Sequence, residues 1–195
     1  MYEIELKAHV YKREETVSLL NTFAEYLGTT IKDDTYYHFQ LQDSESRLTC
    51  RIRHELYTFP DSTTKTQDVL TYKAKERRTD KGGSTYEVNE ESETTLSDPE
   101  ALRKLLFATG YKEAYTKHKD VMQWIYNTEL GQAHIELCTV PPLGDFLEIE
   151  MITENCNNEE TIRDKLKSLI VKSGVSLNDI EEKYYSELLK LAKGE

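Results

Sequence analysis

The sequence has few cysteines, no long apolar run and no surplus of positive charge, and each shortage removes a class of protein. Three cysteines, Cys50, Cys138 and Cys156, stand far apart in 195 residues. An odd number at wide spacing, with no C-x-x-C pair, gives no zinc or thiol-redox motif, and we read all three as reduced thiols. No apolar stretch approaches the roughly 18 residues that a membrane-spanning helix needs. The opening residues Met1-Tyr2-Glu3-Ile4 lack the basic stretch and apolar segment of a secretory signal, so the expected location is cytoplasmic. The formal net charge is −11, which argues against general nucleic-acid binding, because a basic footprint would show in the totals. Any anion that binds needs a local basic patch. A Gly-rich phosphate loop and a Ser/His/Asp arrangement are also missing, so a phosphate group would be gripped by side chains and not cradled at a helix N-terminus.

What the chain does contain is alternation. Stretches near 2–10, 34–41, 46–56, 68–76, 84–92, 114–127, 131–138 and 145–153 alternate in the manner of strands with two unlike faces. Thr58 to Lys65 reads as a long loop between strands. Helical spacing appears over 14–27, with Val17, Leu20, Ala24 and Leu27 on one face and Gly28 as the C-terminal cap. It recurs over 99–109, with Asp98 as N-cap, Pro99 in the first turn and a stop at Gly110. Asn158 is placed to cap a segment carrying Ile162, Leu166, Leu169 and Ile170, and a last segment carries Ile180, Tyr184, Leu188 and Leu189. The expectation is one domain over 1–195, mainly β within an α+β class: an eight-stranded antiparallel barrel with flanking helices.

The charged faces carry the chemistry. In the first strand Ile4, Leu6, Ala8 and Val10 alternate with Glu3, Glu5, Lys7 and His9. A single strand of this kind is an ordinary half-exposed one. The others repeat it with like signs grouped: Arg51 and Arg53; Lys73 and Lys75; Glu87, Asn89 and Glu91; Lys117 and Lys119; Glu148 and Glu150. Like charges together on one face destabilise a sheet unless an ion of the other sign lies between them. Carboxylates without His/Cys spacing suit Mg²⁺ or Mn²⁺, and Arg and Lys suit phosphate oxygens. A polar barrel interior holding a metal and a polyphosphate satisfies both. The five histidines lack metal spacing and read as structural or surface residues. Trp124 and the tyrosines read as packing, and Glu90, Glu91 and Glu93 as a solvated run.

Glu3-Ile4-Glu5-Leu6-Lys7 resembles the E-x-E-x-K signature of the CYTH superfamily, the triphosphate tunnel metalloenzymes. Arg51-Ile52-Arg53, Thr71-Tyr72-Lys73, the acidic strand at Glu87, Lys119 and Leu143-Gly144-Asp145-Phe146-Leu147-Glu148-Ile149-Glu150 follow in the family's order. The closing Tyr184-Tyr185-Ser186-Glu187-Leu188-Leu189 resembles the tail of class IV adenylyl cyclase-like members. The resemblance implies an eight-stranded tunnel that binds a triphosphate compound with Mg²⁺ or Mn²⁺. It makes Glu3, Glu5 and Glu148 metal ligands, with Glu136 and Glu150 as further candidates. Arg51, Arg53, Lys73, Lys119 and the strand of Glu87 become substrate contacts, and Lys7 a contact or orienter. Three positions depart from the family pattern: Cys138 where an Asp is usual, Thr85 where a basic residue is usual, and Val121 where an Arg is usual, the last being offset if Lys117 pairs with Lys119. Three functions stay open on this basis: metal-dependent triphosphate hydrolysis, an adenylyl cyclase making cyclic AMP from ATP, and non-catalytic triphosphate binding. The expected partner is a small triphosphate, without membrane association, in a monomer or homodimer.

Overall fold

The computed structural model describes residues 2–40, 47–79, 85–153 and 158–194, with side chains described for these residues apart from 2, 47–48, 73–79 and 85–91. Eight strands form the frame: β1 (Tyr2–His9), β2 (Glu25–Gln40), β3 (Arg47–Thr58), β4 (Thr64–Thr79), β5 (Thr85–Leu96), β6 (Lys112–Thr128), β7 (Gly131–Val140) and β8 (Gly144–Thr153). Four helices flank them: α1 (Arg13–Phe23), α2 (Pro99–Ala108), α3 (Glu159–Lys172) and α4 (Tyr185–Lys193). The strands run in the order β1-β5-β4-β3-β2-β6-β7-β8, all neighbours antiparallel. The ring closes because β1 pairs with β8 over eight residues and with β5 over four. The eight-stranded barrel with flanking helices expected from the sequence is therefore the fold.

The apolar core lies outside the barrel wall. Ile4, Leu6, Ala8, Ile135, Leu147, Ile149 and Met151 turn outward and meet Ile162, Leu166, Leu169 and Ile170 of α3. Trp124 joins them, as a packing residue, and its indole N–H donates to Asn21 of α1 at 2.8 Å. A smaller cluster of Tyr37, Ile52 and Leu106 sits beneath α2. The period-two alternation of β1 thus has its hydrophobic side on helices and its charged side on the tunnel, which is the reverse of a half-exposed strand.

Four boundaries differ from the sequence reading. α1 stops at Phe23, and Ala24, Leu27 and Gly28 do not continue it. Gly28 is no helix cap; it sits in β2 at a register shift against β6, with φ +116°. A Cβ there would come within 2.2 Å of the Thr58 carbonyl oxygen, so the close approach of β2 to the end of β3 requires glycine. The strand expected at 34–41 is only the second half of β2. The expected loop from Thr58 to Lys65 tightens to a hairpin in which the Phe59 N–H donates to the Thr63 carbonyl at 2.9 Å. At the C-terminal end Ile180 leaves the helical segment and bridges to Ala8, and α4 begins only at Tyr185. Asp98 and Pro99 start α2 as expected, the Asp98 carboxylate accepting from the Ala101 N–H at 2.9 Å. Asn158 occupies the N-cap position of α3, although its side chain makes no capping bond.

Candidate functional site

Alternation carries side chains from all eight strands, most of them polar or charged, into one cavity of about 500 Å³. Antiparallel register arranges them in rows. On one side Glu87, Glu5 and Glu150 are direct neighbours across β5, β1 and β8, and His134 of β7 extends the row. The next row is Lys7, Glu148, Glu136 and Gln123 across β1, β8, β7 and β6. On the other side Lys119, Lys32 and Glu55 form one row of β6, β2 and β3. Lys117, Asp34 and Arg53 form the next, and Tyr115, Tyr36 and Arg51 the one after. In ring order β1 lies four strands from β2, so the Glu5 row and the Asp34 row occupy opposite walls.

Asp34 organises the cationic wall. Its side chain has no solvent exposure and takes a forked contact from Arg53, Nε to Oδ1 at 2.5 Å and Nη2 to Oδ2 at 3.1 Å. Lys117 Nζ reaches Oδ2 at 3.1 Å, and Arg51 Nε stands 4.0 Å from Oδ1. Burial alone would raise the Asp34 pKa, but Lys117, Arg53 and Arg51 outweigh it and hold the carboxyl well below its usual range. Arg51 turns its Nη2 to Thr71 at 2.8 Å and Glu93 at 3.2 Å. Glu93 thus joins the tunnel lining while its side chain stays 48% exposed, as expected of a solvated acid.

The wall of β8 and β7 is bonded to lysines as well. Lys119 Nζ donates to both oxygens of Glu148, at 2.7 and 2.5 Å, and the Tyr185 hydroxyl donates to Glu148 Oε1. Lys32 donates to Glu136 at 2.5 Å, and the Gln123 amide adds a bond at 2.9 Å. Burial opposes ionisation of both glutamates, yet Lys119 at Glu148 and Lys32 at Glu136 keep them well below the usual carboxylate range. Cys138 points inward between them. Its Sγ lies 3.7 Å from Glu148 Oε1 and 3.6 Å from the Phe146 carbonyl, and burial pushes the thiol up to about 12. A neutral thiol here avoids setting a second buried negative charge against Glu148.

Of the residues singled out by sequence, Glu3, Glu5, Lys7, Arg51, Arg53, Lys119, Glu136, Glu148 and Glu150 all line this cavity. The side chains of Lys73 and Glu87 lie outside the described residues; their strands place Lys73 opposite Glu91 and Glu87 opposite Glu5. Lys117 and Lys119 point inward together without any shift of the strand, and Val121 joins an apolar plug with Cys138, Val140 and Phe146 at one end of the tunnel. Among the described residues no group of three or more His, Cys, Asp or Glu side chains is arranged as a metal cage. The donor chemistry still fits a hard divalent cation, since carboxylates stand side by side on β1 and β8. Sequence reasoning gave no site role to Lys32, Tyr36, Glu55, Tyr115, His134 or Tyr185, all in the lining, nor to Asp34, which is buried behind it.

Tyr36 stacks on Tyr115, ring centres 4.3 Å apart and planes 10° apart. Burial would raise the Tyr36 phenol, but Lys117 together with Arg51 and Arg53 brings it down to about 8. Because the folded value lies below the unfolded one of about 10, the ionised form adds stability above pH 10, and this is lost as pH falls through 8. Absorbance at 295 nm should therefore show one tyrosinate appearing near pH 8 in the folded protein. The step should be missing in Tyr36→Phe; an unchanged titration curve in that variant would mean another tyrosine carries it.

The CYTH domain matches residues 1–185. PH1819 protein of Pyrococcus horikoshii OT3 superposes with a TM-score of 0.73 at 26% identity, covering 98% of this chain and 99% of its own. A candidate adenylate cyclase of Vibrio parahaemolyticus superposes with a TM-score of 0.71 at 16% identity, over 97% and 98% of the two chains. HpAC1 of Hippeastrum, a candidate adenylyl cyclase with a dominant triphosphatase activity, gives 0.58 at 17% identity over 100% and 96%. No curated protein matches. No described helix is long and apolar enough to cross a membrane. With the match spanning nearly all of the barrel and its tail, the chain belongs to the CYTH domain family.

Proposed function

We propose that this protein hydrolyses a small triphosphate with the help of a divalent metal ion inside the barrel. The observation that carries the reading is the pairing of opposite walls: an acidic row through Glu5 and Glu150, and cationic rows through Arg51, Arg53, Lys117 and Lys119, on one cavity. Glu3, Glu5 and Glu150 are the residues that would hold the ion, with Glu148 as a further ligand shared with Lys119. The bound cation supplies Lewis-acid neutralisation of phosphate charge. Arg53 and Lys117 are held in place by Asp34 before substrate arrives, so their donors are oriented without reorganisation when charge develops on the transferring phosphoryl group. Lys32 and Lys119, fixed on Glu136 and Glu148, extend that wall. Burial pushes up the thiols of both Cys50, in the lining, and Cys138, behind it, which disfavours a thiolate nucleophile among the described residues and favours direct attack of water.

Phosphorus NMR on the purified protein with inorganic triphosphate, thiamine triphosphate and ATP, each with Mg²⁺ or Mn²⁺ and with EDTA, tests this. The expected result is orthophosphate release, fastest with one of the non-nucleotide compounds and absent in EDTA. Pyrophosphate and cyclic AMP from ATP would replace the reading with a cyclase. Tight binding that survives EDTA with no product under any ion would replace it with a binder.

A further inference from the structure

The described tunnel is lined by strands, with one exception. The segment from Ile180 to Leu189 folds back over the end of the barrel and inserts Tyr185 among the cations. Its anchors are many. The Glu181 N–H donates to the Lys7 carbonyl at 2.8 Å, and the Glu181 carboxylate accepts from His9 at 3.1 Å. Lys7 Nζ donates to the Lys183 carbonyl at 2.6 Å. The Glu187 side chain accepts from the Tyr184 N–H at 2.6 Å and caps α4, while Leu188 packs on the plug of Val121, Cys138, Val140 and Phe146. Phe146 meets the Tyr185 ring edge-on, with centres 5.1 Å apart.

So fixed, the Tyr185 ring is met by three ammonium groups: Lys7 at 4.3 Å from its centre, Lys119 at 4.8 Å and Lys117 at 4.9 Å. These lysines come from β1 and β6, strands that are not neighbours in the barrel. Asp34, Glu148 and the Lys183 carbonyl each hold one of these ammonium groups, and the electron-rich face of one phenol attracts all three toward a common point. The hydroxyl meanwhile donates to Glu148 Oε1, the oxygen that also accepts from Lys119. A side chain serving only to fill the plug would leave its ring on apolar neighbours and would need no hydroxyl.

We propose that Tyr185 is a positioning residue of the tunnel: its ring holds Lys7, Lys117 and Lys119 convergent for a triphosphate, and its hydroxyl fixes the carboxylate of Glu148. The ligand part rests on the triphosphate reading above; the gathering of lysines does not. The two parts separate by substitution. Tyr185→Phe keeps the ring and loses the hydroxyl, and Tyr185→Leu loses both.

Three readouts decide it. Ring currents should shift the lysine side-chain NMR signals of Lys7, Lys117 and Lys119 in the wild type and in Tyr185→Phe, and release them in Tyr185→Leu. Titration calorimetry with inorganic triphosphate in EDTA should give Tyr185→Phe an affinity within about twofold of wild type and Tyr185→Leu one about tenfold weaker, on the scale of a lost desolvated cation–π contact. Turnover by Tyr185→Phe should need about tenfold more Mn²⁺ for half-activation, as for the loss of a hydrogen-bond partner of a metal-ligating carboxylate. Lysine signals unmoved in Tyr185→Leu would overturn the gathering role even if no triphosphate is ever hydrolysed. Equal affinity for triphosphate in Phe and Leu variants that both melt as cooperatively as wild type would overturn its link to binding. An unchanged Mn²⁺ requirement in the Phe variant would overturn the role of the hydroxyl. A wild type that binds triphosphate without turnover, with the Phe and Leu variants separated as stated, would sink the hydrolase reading and uphold this one.

Discussion

Asp34→Asn should lower the stability of the ligand-free protein by about 3–5 kcal/mol, the cost of removing one partner from a buried ionic cluster. The carboxylate has no solvent exposure, and Arg53, Lys117 and Arg51 close on it from β3 and β6. An amide keeps the shape and loses the charge, leaving three cations facing one another in a tunnel that shields them poorly from each other. At the 2–4 °C per kcal/mol usual for a chain of this size, the melting temperature should fall by about 10 °C. The same substitution makes an anion more welcome. Inorganic triphosphate can supply the missing negative charge, so its stabilisation of Asp34→Asn in EDTA should exceed that of wild type. Thermal unfolding of both proteins with and without triphosphate measures this, and an equal gain would show that the ligand does not meet the Asp34 cluster. In the wild type the pKa of Asp34 is depressed by folding, so its contribution is complete above the unfolded carboxylate value of about 4 and is lost as pH falls below it. Glu136 and Glu148 act in the same direction, and below about pH 4 the stability of Asp34→Asn should fall with pH less steeply than that of wild type.

The cluster around Asp34 was also the part of the site least visible in the sequence, and the reason is physical. β1 can be recognised because one face meets α3 and is apolar while the other meets the tunnel and is charged. β2 has no such contrast over its middle: Lys32 and Asp34 point inward, and Asp33 and Thr35 point outward to water. Both faces are polar, the alternation disappears, and the apolar spacing of α1 runs on into Ala24 and Leu27 as if the helix continued. Lys117 was legible as half of a pair, and the structure shows that it needs no register change to join Lys119. The acidic pair of β1 and the arginines of β3 were readable because like charges at spacing two ask for an ion between them.

The tail shows a different limit. The spacing of Ile180, Tyr184, Leu188 and Leu189 reads as one helix, whereas α4 starts at Tyr185 and Ile180 belongs to a bridge with Ala8. The tail's place at the tunnel end follows from contacts between residues more than 170 positions apart, such as Lys7 with Lys183. Local pattern cannot register an association of that range. Glu93 shows the same limit: it is exposed, as a run of acids suggests, yet β4 brings Thr71 and β3 brings Arg51 against it.

Glu5→Gln should separate catalysis from folding more cleanly than any other single change. Glu5 lies between Glu87 of β5 and Glu150 of β8 in register, so three acidic positions run side by side around the wall. Like charges directly opposite one another destabilise a sheet. Glutamine keeps the size and the strand pairing and removes the central charge. In EDTA the variant should therefore melt at the wild-type temperature or slightly above it. Turnover under Mg²⁺ or Mn²⁺ should fall by about 10³-fold, because a cation held by this row would supply several kcal/mol of charge neutralisation in the transition state and each 1.4 kcal/mol is a factor of ten. Binding of inorganic triphosphate in EDTA should be kept or tightened, since the cationic wall of Arg51, Arg53 and Lys117 is untouched and one nearby negative charge is gone. Rates, melting curves and calorimetry on the same preparation give all three numbers. A wild-type rate in Glu5→Gln would remove the acidic row from the reaction, and a loss of stability in EDTA would make the row a structural feature instead of a metal-holding one.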